Sequence, residues 1–128
     1  MTLPNSYTLT IEQGANLKRW WALQYPDGSI VDLISEGYTI GRLQVRDLYA
    51  SEGGELILDL NTDNGGVVID YQADADGTFW TGYLWASAAS TAALEPFGEA
   101  VYDLEVSNGT DVIRIIQGVA VLSSEVSV

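Results

Sequence analysis

The chain has 128 residues, 47% of them apolar, no cysteine and no histidine, and five basic against 18 acidic residues for a formal charge of -13. That length suits a single domain, residues 1–128, whose core buries roughly two-thirds of the unfolded surface without disulfides. The composition excludes thiol redox chemistry and thiolate metal sites, and the negative field repels phosphate backbones and anionic membrane surfaces, so neither nucleic acid nor membrane is an expected partner.

In chain order, the opening "MTLPNSYTLT" carries neither the basic nor the apolar segment of a secretory leader. "SYTLTIEQG" alternates Tyr7, Leu9 and Ile11 against Thr8, Thr10 and Glu12, the period of a half-buried strand. "NLKRWWALQY" reads as a second strand, closed by the turn "YPDGS" with Pro26 and Gly28 where a turn wants them. "SIVDLIS" reads as a third, and "GYTIGRLQVR" as a fourth, with Gly41 marking a bulge or a close approach. "GELILDL" and "GGVVIDYQ" flank the turn "NTDNGG", and "GTFWTGYLW" follows the turn "DADG". "SAASTAALEPFG" breaks the alternation. Ser87 or Ser90 is placed to cap one or two helical turns ending before Pro96, a crossover between sheets near residues 87–95.

"YDLEVSNGTDVIRIIQG" closes the pattern as a hairpin, because Asn-Gly between alternating runs suits a two-residue turn. With Asn108 and Gly109 at the tip, Ser107 faces Thr110, Leu104 faces Ile113 and Tyr102 faces Ile115. Asp103 then faces Arg114, an opposite-charge pair that favours this register. "VAVLSS" continues the last strand, and residues from Ser123 to Val128 fray or join a neighbouring chain. About eight strands with a turn every 8–12 residues predict an all-β, antiparallel β-sandwich or barrel.

Catalytic chemistry finds little purchase. Without histidine the commonest general base, triad partner and neutral metal ligand are missing. The only lysine, Lys18, sits beside Arg19 in a strand, with nothing to argue for a desolvating pocket. "SEGGE" and "DNGGV" lack the Lys-Ser/Thr and helix of a phosphate-binding loop. Carboxylates such as Asp27, Asp63, Asp74, Asp76 and Asp103 fall in turns or outward positions, where a pair at glycosidase spacing arises by chance. "NTDNGG" and "DADG" offer calcium-type oxygens, but turns require the same residues and neither loop has the spaced ligand set of a calcium site. The expectation is no enzyme, no cofactor and no metal.

The aromatics speak more clearly. Trp20 and Trp21 are adjacent in a strand, so one points inward and one outward. Phe79 and Trp80 pose the same problem, with Tyr83 and Trp85 on the side of Phe79. Outward rings suit an interface, making Trp20, Trp21, Trp80 and Trp85 the candidate contact residues. Stacking on sugars is the alternative use, and a thick core or covering loop is the purely structural one.

The order of the pieces resembles a family of small phage virion domains: the N-terminal domains of baseplate upper proteins and related Ig-like tail proteins. Three stretches carry the resemblance: "IEQGANLKRWWALQYPDGSIVDLISEGYTIGRLQVRD", "GELILDLNTDNGGVVID", and "GTFWTGYLWASAASTAALEPFGEAVYDLEVSNGTDVIRIIQGVAVLSSEV". The family's "QG" strand end, "DG" turn and "DLTGYT" segment correspond to Gln13-Gly14, Asp27-Gly28 and "DLISEGYT". Its basic strand, alanine-leucine stretch and "YDLEV…G" correspond to Leu43 to Asp47, Ala92 to Leu94 and Tyr102 to Gly118. The likeness spans about residues 7 to 126. It implies an Ig-like β-sandwich that joins virion parts, with other virion proteins and copies of itself as partners, in a particle assembled in the host cytoplasm. "ISE" departs from the family's "TG", and no receptor-binding or fibre segment follows Val128. The expected function is therefore a tail or baseplate adaptor of a tailed bacteriophage. The alternatives are a capsid decoration protein and a carbohydrate-binding module.

Overall fold

The structure is a computed structural model that describes residues 5–47, 55–95 and 99–123. Two sheets face each other. The larger contains β1 (Asn5–Ser6), β2 (Leu9–Glu12), β4 (Ile40–Asp47), β5 (Leu56–Asn61), β8 (Glu99–Ser107) and β9 (Val112–Ser123). Its order is β1-β9-β8-β4-β5, with β2 continuing beside β9. The smaller contains β3 (Leu17–Trp21), β6 (Val67–Ala73) and β7 (Phe79–Ala86), in the order β3-β7-β6. These are the strand orders of an Ig-like sandwich, B-E-D against G-F-C-C′.

Alternation explains the layering. In β8, Ala100, Tyr102, Leu104 and Val106 are buried while Glu99 and Val101 are exposed. Leu43 and Val45 of β4 and Leu9 and Ile11 of β2 meet them in the core, each fully buried. From the smaller sheet come Leu17, Trp21, Val67, Ile69 and Leu84. Gly41 is a close approach, as one of its two expected roles: a Cβ there would lie 2.6 Å from Val67 Cγ1, where the sheets touch.

The crossover is α1 (Ala88–Ala92), which carries the chain from β7 to the larger sheet. Ser87 caps it, its hydroxyl accepting from Ser90 N at 3.2 Å, a contact worth about 1 kcal/mol. Buried Thr91 fixes the helix to the β2–β3 turn, donating to Ala15 O at 2.8 Å and accepting from Gly14 N at 3.0 Å. Pro96 lies outside the described residues, as do residues 124–128 at the chain end.

Three expectations need correction. First, pairing is not antiparallel throughout: β1 and β2 run parallel to β9. Gly118 permits this, since its missing side chain leaves the Tyr7 backbone room to pass; a Cβ would sit 2.4 Å from Tyr7 O. Tyr102 lies opposite Gly118 and its hydroxyl donates to Tyr7 O, tying the first strands down.

Second, "SIVDLIS" is not a strand. A single bridge joins Gln24 and Ile30, and turns follow, with Glu36 and Tyr38 N–H groups both donating to Leu33 O. Val31 and Leu33 are nevertheless buried to 1% exposure. Their alternation records a loop that closes the end of the core, tied to the preceding segment by the Val31 N–H bond to Leu23 O but not extended into a strand.

Third, the terminal hairpin has a four-residue loop. Ser107 pairs with Val112, Glu105 with Arg114 and Leu104 with Ile116, with a bulge between Leu104 and Glu105. A two-residue turn of the expected type needs positive φ at both tip residues, and among the described residues only glycines, Gly109 here, have it. Asn108 instead accepts from Thr110 N and Asp111 N through its side chain, at 2.9 and 2.7 Å. Arg114 still reaches Asp103, at 3.4 Å, and also Glu105, at 3.2 Å. Burial pushes the Asp103 carboxyl upward, aided by the Glu105 charge and opposed by Arg114.

Candidate functional site

The outer face of the smaller sheet carries an ordered group of rings, and the strand pairing builds it. Trp21 and Trp20 divide as one step along an extended chain requires. Trp21 is 3% exposed and lies opposite Gly82, where a Cβ would come within 2.7 Å of its ring. The glycine makes the inward place for the indole, so Trp21 is a core residue and drops out of the contact candidates. Trp20 is the outward ring and lies directly opposite Tyr83. Their centroids are 5.1 Å apart at 62°, an edge-to-face pair, worth about 0.5–1.5 kcal/mol beyond its area.

Two further groups hold this pair in place. Lys18 lies two residues from Trp20, on the same face of β3. Its Nζ sits 5.0 Å from the Trp20 centroid and 4.6 Å from that of Tyr83. Trp80 packs against Trp20 at 6.4 Å and 31°. The Trp80 Nε1–H donates to Asp74 Oδ2 at 2.8 Å. Asp74 Oδ1 accepts from Asp76 N and Thr78 N in the β6–β7 turn. The Trp80 hydrogen bond, with those backbone bonds, holds the Asp74 carboxyl below its ordinary range.

Phe79 and Trp80 do not divide between the faces as Trp20 and Trp21 do. Phe79 is exposed and stacks on Tyr71 at 5.0 Å and 23°. Trp80 is half-buried beside Trp20. The register with the neighbouring strand shifts between Ile69 and Gln72, opposite this part of β7. Trp85, 37% exposed, pairs with Lys18 across β3 and β7. Of the four candidate tryptophans, Trp20 and Trp80 are thus in contact, Trp85 lies beside them in register, and Trp21 is inside. Tyr83, Lys18 and Asp74 complete the group and were not among the candidates. Lys18 and Tyr83 were readable from the two-residue period, whereas the bond from Trp80 to Asp74 needs the folded turn.

The oxygen-rich turns use their side chains on their own backbone. Asn64 Oδ1 accepts from Asn61 N at 3.0 Å and from Gly66 N at 2.8 Å, and Asn61 Oδ1 accepts from Asn64 N at 2.8 Å. Asp27 Oδ1 accepts from both Ser29 N and Ser29 Oγ, which lowers its pKa. Among the described residues, no three acidic side chains converge on a metal-sized space.

The outer face of the larger sheet is charged instead. Arg42 pairs with Asp59 at 3.1 Å. Burial would raise the Asp59 carboxyl, but bonds from Arg42 and Asn61 and the Arg42 charge bring it below the usual range.

A scan against protein-family models finds no match, and no curated protein is detectably similar to the chain.

Proposed function

We propose that the protein is a structural component of a tailed-bacteriophage virion, an adaptor at the tail or baseplate that acts by protein–protein contact. The observation that carries this reading is the pre-ordered ring group Trp20–Trp80–Tyr83 on an outward sheet face, held by Lys18 and Asp74. Binding pays less ordering entropy when the contact side chains are already fixed, and tryptophan and tyrosine are favoured anchors of buried contacts. The Ig-like strand order agrees with the resemblance to phage virion domains, and the charge of -13 keeps the free chain apart until a specific contact forms.

Sugar stacking is the weaker use of these rings. It calls for an open, coplanar strip, whereas the planes here are tilted by 31° and 62° and a lysine sits over two of them.

Immuno-electron microscopy of purified particles tests the proposal. Label at the tail end supports the adaptor, label on head facets moves the protein to the capsid decoration role, and particles without the chain overturn both.

A further inference from the structure

The chain holds two Asn-Gly pairs, Asn64-Gly65 and Asn108-Gly109, both exposed in connections between strands. Each pair carries an electrophile and a nucleophile of its own. The side-chain carboxamide carbon and the next backbone nitrogen can close a five-membered ring, and a following glycine, with no Cβ, leaves that nitrogen uncrowded. The two pairs are identical in sequence, so the surrounding hydrogen bonds decide which one reacts.

At Asn108 they favour reaction. Oδ1 accepts from Thr110 N at 2.9 Å and from Asp111 N at 2.7 Å. Two backbone donors at such distances stabilise the negative charge that grows on a carbonyl oxygen under attack. Nδ2, the group that must leave, makes no hydrogen bond among the described residues. The Gly109 N–H donates to Ser107 Oγ at 2.9 Å, so the proton to be lost lies on a hydroxyl able to hand it to solvent. At Asn64 the oxygen is bonded in the same way, from Asn61 N at 3.0 Å and Gly66 N at 2.8 Å, but the nitrogen is not free. Its Nδ2 donates to Asp59 O at 3.0 Å. That carboxamide is tied at both ends to the end of β5, and the Gly65 N–H has no side-chain acceptor among the described residues.

We propose that Asn108-Gly109 is a self-modification site, at which water and the chain's own backbone convert the hairpin tip to aspartate and isoaspartate. The Gly109 N lone pair attacks Asn108 Cγ and the N–H proton passes to water. As the N–Cγ bond forms, the Cγ–Nδ2 bond breaks, and Nδ2 leaves as ammonia with a proton returned from water. A water molecule then opens the cyclic imide. Opening at Cγ gives aspartate; opening at the backbone carbonyl gives isoaspartate, whose main chain is longer by a methylene. Either product adds a negative charge to the tip, beside Asp111. Aspartate keeps acceptors for the Thr110 and Asp111 N–H groups, whereas the lengthened backbone of isoaspartate disturbs the four-residue loop. The proposal is independent of the contact-surface reading, because the site joins β8 to β9 and the rings stand on β3 and β7.

Peptide mapping tests it. The folded native chain is held in mildly alkaline buffer, sampled over days, digested and mapped by mass spectrometry, with aspartate and isoaspartate peptides separated by chromatography. A parallel sample is kept unfolded in urea. In the folded chain Asn108 should convert at least about five-fold faster than Asn64, the factor that one hydrogen bond on the leaving nitrogen commands. Both products should appear at Asn108, and in urea the rates of the two sites should converge. The proposal is overturned if Asn64 converts as fast as Asn108 in the folded chain, or if folded Asn108 stays intact while the unfolded one converts. It is also overturned if urea leaves the ratio unchanged, since the fold would then have no part in the choice.

Discussion

Trp20 and Trp21 are one step apart in β3 and should differ in what their removal costs. Trp21→Ala empties a core position over Gly82, a loss of about 3–5 kcal/mol in urea unfolding. Trp20→Ala removes its contacts with Tyr83, Trp80 and Lys18 at the surface, about 1–2 kcal/mol. Equal losses would mean that both rings serve the core. Tyr102 gives a second residue-scale test. Burial, with a smaller effect from Tyr7, pushes its phenol from 10.0 up to about 12. A folded pKa raised above the unfolded one adds stability that is fully present below pH 10.0 and is lost as pH rises through about 12. Tyr102→Phe also loses the bond to Tyr7 O, worth about 1 kcal/mol. The stability gap between the native chain and Tyr102→Phe should hold steady up to about pH 10 and then narrow; a constant gap into strong alkali contradicts this. The division of Trp20 from Trp21 was legible in the sequence because it needs only the two-residue period. Which of them turns inward was not legible, because Gly82, a residue 61 positions further on by their numbers, makes the room.

At the scale of elements, alternation and capping announced most strands and α1, whose Ser87 cap is local chemistry. What escaped depends on partners distant in sequence. The parallel docking of β1 and β2 rests on Gly118 and Tyr102, and nothing in "SYTLTIEQG" encodes its direction. The hairpin loop was misjudged because Asn-Gly serves two turn types, and the side-chain bonds of Asn108 chose the longer one. "SIVDLIS" showed that alternation reports burial before it reports pairing. In β7, Gly82 is the tightest point: a Cβ would meet Val68 O at 2.2 Å and the Trp21 ring at 2.7 Å. Gly82→Ala should therefore cost about 1–3 kcal/mol in thermal or urea unfolding and shift the Trp21 fluorescence as the ring is displaced. A neutral substitution would mean that the contact between β7 and Trp21 is looser than described.

Across the whole molecule the two outer faces differ in kind. The larger sheet shows ion pairs, Arg42 with Asp59 and Arg114 with Asp103 and Glu105. The smaller shows rings with Lys18 over two of them, and its described strands take part in none of these ion pairs. Exposed ion pairs contribute little to stability or affinity, whereas fixed aromatic groups are efficient anchors, which is why the proposed assembly role is placed on the smaller sheet. This assignment is tested most directly by the Trp20→Ala, Trp80→Ala double variant, supplied in place of the native chain during particle assembly and quantified in purified particles. The account predicts a soluble variant with native strand content that is depleted from the particles. Incorporation at the native level would contradict it.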